Sequence, residues 1–107
     1  MPYRHIVLFR IHDDVSDALL DEALTLLQGL REVPGVREWT VRLSDDPRKG
    51  RVVVQNSLFD EREAIEAFRV HPLHRRTTDL MRTIADWWIG DYEEPPAPGA
   101  PAELTTR

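Results

Sequence analysis

The stretch AFRVHPLHRR, residues 67–76, places His71 and His74 three apart around Pro72, and only two other histidines, His5 and His12, occur in the chain. An imidazole, with an ordinary pKa near 6.5, can take or give a proton close to neutrality. Two of them in one cavity could enolise a ketone and then protonate the resulting alkoxide, which needs a base and an acid. Metal binding is the competing chemistry. The His71–His74 spacing would suit a shared zinc on a continuous helix, but Pro72 interrupts it, and the His12-Asp13-Asp14 cluster matches no standard site. Cysteine is absent, which excludes thiolate nucleophiles and disulfides. No metal is expected. His71 precedes a proline and should be extended, a joint between helices, while His12 suits a solvated turn.

The elements that must hold His5 and His74 can be read from periodicity. His5 to Ile11 is a β-branched and aromatic run, one strand, with His5, Val7, Phe9 and Ile11 on one side and Ile6 and Leu8 on the other. Ser16 is a helix cap, followed by Leu19, Leu20, Ala23, Leu24, Leu27 and Leu30 at helical spacing. Val33-Pro-Gly-Val36 turns into a second strand carrying Trp39, Val41 and Leu43, and a third runs from Val52 to Phe59. Asp60 as cap with Glu63 as capping box predicts a second helix. Pro72 ends it and opens a third, through Leu73, Thr77, Leu80, Met81 and Ile84. Trp87 to Tyr92 is the last strand. The order β-α-β-β-α(α)-β is α+β and ferredoxin-like, with one four-stranded antiparallel sheet. Helices cover one face of such a sheet. An open face carrying Val7, Phe9 and Ile11 would be a large apolar patch, so two subunits are expected to pack face to face as a barrel-like homodimer.

Arg4-His5-Ile-Val-Leu-Phe9, Val33-Pro-Gly-Val36, Phe59-Asp60, His71-Pro-Leu-His74 and Asp91-Tyr92 follow one another in order across nearly the whole domain. In this the chain resembles the stress-responsive A/B barrel family, the dimeric α/β barrels. The resemblance implies a homodimer with a cavity in each subunit. Many members are stress-associated proteins, and a plant member closes linear polyketides by an intramolecular aldol step without a cofactor. In that cyclase the histidine of the opening strand and the second histidine of the HPxH motif line the active site; they map onto His5 and His74. An assisting tyrosine maps onto Phe68, which lacks the hydroxyl. The expected catalytic residues are therefore His5 and His74, with Val7, Phe9, Phe68 and Tyr92 as ligand contacts and no cofactor.

Each assignment has a plainer counterpart. His5 and His74 could simply satisfy hydrogen bonds at a cavity mouth. Trp39, Trp87 and Trp88 could be packing anchors, Tyr92 a packed strand end, and Arg69, Arg75 and Arg76 a solvated face rather than a guide for an anionic substrate. Two functions follow: a dimeric barrel binding a small apolar or phenolic molecule, with acid–base chemistry such as polyketide-type cyclisation, or a stress-protective structural oligomer. The antibiotic-biosynthesis monooxygenase type shares the architecture, but its characteristic residues are not displayed.

The 107 residues make one domain, assigned to 1–93, and the Pro-rich segment 94–107 is expected to be a disordered tail. A net charge of −5 argues against nucleic acid or an acidic membrane surface as partner. No apolar run reaches the roughly 20 residues of a membrane span, and the N-terminus lacks a signal-peptide pattern. A cytoplasmic location is expected.

Overall fold

The computed structural model describes residues 1–95, and the expected tail lies outside them apart from Glu94 and Pro95. Strand β1 (Tyr3–Ile11) leads through helix α1 (Asp17–Gly29) and a 3₁₀ turn (Leu30–Glu32) to β2 (Val36–Leu43) and β3 (Val52–Phe59). Helices α2 (Arg62–Val70) and α3 (Pro72–Ile84) then precede β4 (Ala85–Glu93). The sheet order is β2-β3-β1-β4, with every neighbouring pair antiparallel. This is the ferredoxin-like α+β arrangement the patterning predicts.

Local chemistry sets the boundaries. The Ser16 side chain accepts the Leu19 N–H at 3.1 Å and starts α1. Gly35 has φ +93°, and a Cβ there would lie 2.8 Å from that of Ala64, so the turn into β2 requires glycine. The capping box expected at α2 does not form. Glu61 holds the cap position without a side-chain bond, and Asp60 instead accepts from Arg37 Nε at 3.2 Å, its carboxylate drawn to a cation on β2.

The face assignment also needs correction. Strand alternation is as expected, but Val7, Phe9 and Ile11 lie beneath the helices, buried with Leu20, Leu27, Phe59, Phe68 and Met81 in the core. The open face carries the even-numbered residues of β1. Leu8 pairs with Val54 on one side and Trp88 on the other, an apolar row across three strands, with Leu8 42% and Trp88 63% exposed. Arg4 borders it, its guanidinium bound to Glu94 at 2.6 and 2.8 Å and to Glu38 at 3.3 Å. The helices occupy the other side because their apolar stripes need the continuous Val7–Phe9–Ile11 surface.

Candidate functional site

Between the sheet and helices α1 and α3 lies a cavity of about 260 Å³. Its walls are mostly apolar, with Val7, Phe9, Leu27, Met81 and Trp87 among them, and its polar groups are His5, Gln55, Arg69, His74, Thr77 and Thr78. The two histidines singled out in the sequence thus meet on one chamber, one from β1 and one from α3. Half-exposed Ile89 and the Arg69 side chain mark its mouth at the β4 edge.

His5 is buried, and its Nδ1 lies 2.6 Å from Asp91 Oδ1. The register makes this possible: His5 and Asp91 are direct cross-strand partners on β1 and β4, and both point toward the helices. The other carboxylate oxygen of Asp91 accepts from Arg69 at 3.2 Å. A carboxylate cannot donate, so Nδ1 of His5 carries a proton, and in the neutral ring Nε2 presents a lone pair.

His74 is held by the break between α2 and α3. Pro72 occupies the first position of α3, and His71 caps that helix by accepting the Leu73 N–H on its Nδ1 at 3.1 Å. In a continuous helix that N–H would bond to the Arg69 carbonyl. The freed carbonyl instead receives the Nδ1–H of His74 at 3.1 Å. Nε2 of His74 then faces the Thr78 hydroxyl at 3.5 Å, the far limit of a hydrogen bond, which leaves its lone pair open to a ligand. Burial pushes the His74 pKa below the usual imidazole value, partly offset by the Arg69 carbonyl, while the nearby His5 and Arg69 lower it further.

The remaining expected site residues divide. Val7 and Phe9 line the cavity. Phe68 belongs to the core, with its ring centroid 4.6 Å from that of His74 and 6.3 Å from that of His5, so it backs both imidazoles rather than walling the chamber. Tyr92 does not reach the site. It pairs with Arg4, and the alternation of β4 puts it on the open face, 50% exposed. His71 is absent from the lining. Trp39 is a buried anchor donating to the Leu27 carbonyl at 3.0 Å, and Trp87 lines the cavity. Asp91 and Gln55 are additional polar residues of the site that sequence reasoning did not single out. For Gln55 the signal was available, because alternation puts it on the same side as Val53 and Phe59. No three His, Asp or Glu side chains among the described residues are grouped to hold a metal ion, and no described helix is long and apolar enough to cross a membrane.

Known structures share this architecture. A dimeric ferredoxin-like protein from Thermobifida fusca superposes with a TM-score of 0.79 at 21% identity, covering 88% of this chain and 92% of that one. The hydroxynitrile lyase of Passiflora edulis gives 0.76 at 19%, covering 89% and 97%. SnoaB, a cofactor-independent oxygenase from Streptomyces nogalater, gives 0.74 at 13%, covering 92% and 98%. At these identities the likeness is one of fold. No curated protein matches the sequence. Residues 3–94, nearly all of the chain described above, match the stress responsive A/B barrel domain, and the chain belongs to that family.

Proposed function

We propose that this chain forms a homodimer through the open face of its sheet and binds a small apolar or phenolic molecule beneath its helices, acting on it by acid–base chemistry without a cofactor. The observation that carries this reading is the convergence of His5 and His74 on one apolar chamber, each with Nδ1–H engaged by a fixed acceptor and Nε2 left as a base. The two are not equivalent. A proton taken up by His5 creates an imidazolium 2.6 Å from the Asp91 carboxylate, whereas no carboxylate among the described residues pairs with His74, whose charged form burial opposes. His5 is therefore the proton acceptor, and His74 stays neutral to orient the ligand and relay through Thr78. Aldol-type ring closure needs such a base for the α-carbon proton and its conjugate acid for the new alkoxide. Two relatives of the same architecture are by name a lyase and a cofactor-independent oxygenase, which favours the catalytic half of the reading.

The test is a thermal-shift screen of small phenols and aryl ketones, followed by titration of the hits. Replacing His74 or His5 by alanine should weaken binding up to about tenfold, the value of a lost hydrogen bond, and abolish any turnover. His71→Ala should lower the melting temperature and weaken affinity less than His74→Ala, since its bond is to the α3 backbone and reaches His74 only through the freed Arg69 carbonyl. Hits indifferent to both His5 and His74 would refute the assignment.

A further inference from the structure

Four polar side chains are buried on the helix-covered side: His5, Gln55, Ser57 and Thr77. Three are satisfied within the protein. His5 meets Asp91, Ser57 Oγ donates to the His5 carbonyl at 2.8 Å, and Thr77 Oγ1 donates to the Leu73 carbonyl at 2.8 Å. Gln55 is the exception. It is 3% exposed and lines the cavity, yet no hydrogen bond joins its side-chain amide to another described residue. An unmet buried polar group is destabilising, so an apolar side chain would suit the empty fold better.

Gln55 stands on the cavity floor. It is the cross-strand partner of Val7, while His5 pairs with Ser57, so Gln55 and His5 are diagonal neighbours on one face, roughly 7–8 Å apart. The polar atoms around it are acceptors or already have a partner: the Nε2 lone pairs of His5 and His74 accept, the Thr77 hydroxyl is committed, the Thr78 hydroxyl faces His74 Nε2 at 3.5 Å, and Arg69 sits at the mouth on Asp91. The Gln55 amide NH₂ is the fully buried donor with no partner among the described residues.

We propose that Gln55 is the residue that selects and orients the ligand, donating from its side-chain N–H to a ligand carbonyl oxygen, so that the cavity takes small aryl ketones and related carbonyl compounds. This rests on reading the cavity as a small-molecule site. Within that reading the α-carbon proton passes to the imidazole Nε2 of His5. The C–H electron pair becomes the C=C bond, the carbonyl π pair moves to oxygen, and the enolate oxygen keeps the Gln55 hydrogen bond, which strengthens as charge develops. Reprotonation at carbon reverses each move.

The test uses acetophenone and α-methylstyrene, two probes of one shape in which a CH₂ replaces the carbonyl oxygen. Binding to wild type, Gln55→Leu and Gln55→Met is followed by ligand-observed NMR. Wild type should prefer the ketone roughly tenfold, and both variants should lose that preference through weaker ketone binding alone. Without ligand, both variants should melt at or above the wild-type temperature. Retention of the ketone preference in the variants overturns the proposal. So does a melting temperature lowered by several degrees or a failure to fold, either of which would show the amide satisfied in the empty protein. If wild type binds both probes equally, Gln55 is not the selector while the cavity site stands. If it binds neither, the small-molecule reading falls and this one with it.

Discussion

Trp88→Lys should separate the subunits of the proposed dimer without unfolding them. A fully covered tryptophan buries on the order of 150–250 Å². With Trp88 63% exposed, covering it by a partner removes about 100–150 Å² from water, worth about 3 kcal/mol at ~25 cal/mol/Å². A two-fold interface counts the residue twice, so its loss weakens association by about 6 kcal/mol, or about 10⁴ in Kd. Trp88 touches Leu8 in register but lies outside the core, so the protomer should keep its circular dichroism and unfold cooperatively. Sedimentation equilibrium at micromolar concentration should show wild-type dimer and variant monomer. Phe9→Asp is the contrasting substitution: Phe9 is buried beneath the helices, and an unpaired charge there should unfold the protomer. A wild-type monomer, or a Trp88→Lys dimer with Kd within threefold of wild type, would refute the assignment of the open face. A folded Phe9→Asp monomer would refute the placement of the core.

The pH dependence of stability should carry a signature of His74. Its folded pKa lies below the unfolded value near 6.5, so its contribution is fully present above about pH 6.5 and is lost as pH falls toward the folded value. Urea midpoints for wild type and His74→Gln should therefore converge on acidification between pH 7.5 and 5.5, and parallel curves would contradict the burial argument. Gly35→Ala should lower the melting temperature by several degrees, because the positive φ and the 2.8 Å approach to Ala64 both oppose a Cβ, costing about 1–3 kcal/mol. An unchanged temperature would show that the turn relaxes.

Period-2 and period-3.6 patterning were enough to read the strands and helices of this fold, because each element buries one face and the apolar residues mark it. What patterning cannot say is which face the helices choose. His5, Val7, Phe9 and Ile11 share a side whichever way the sheet is covered, so the open face was assigned to the wrong set. The HPLH stretch was partly legible: Pro72 predicts the helix break. The Arg69 carbonyl that the break frees for His74 emerges only once the Leu73 N–H is seen to be taken by His71. Asp91 is 86 residues from His5, and its meeting with that ring depends on β1–β4 register, which no local signal encodes. Tyr92 fails for the same reason by one residue: a single step along β4 exchanges the cavity for the opposite face.

Side-chain alternation on β1 divides the strand's labour by parity. Odd-numbered His5, Val7 and Phe9 belong to the cavity, and even-numbered Ile6 and Leu8 belong to the surface a partner would cover. In the proposed dimer, ligand and partner would therefore grip one strand from opposite sides and share no side chain of it. Occupancy of one chamber would reach the other only through displacement of the sheet backbone, a stiff route that carries little coupling free energy. Such a dimer titrates as two equal and independent sites with a Hill coefficient of one. Selection could likewise retune the chamber through Gln55 or Met81 while leaving assembly alone, or rework Leu8 and Trp88 while leaving the chamber alone, which is a physical route by which one dimeric scaffold can host unrelated small molecules.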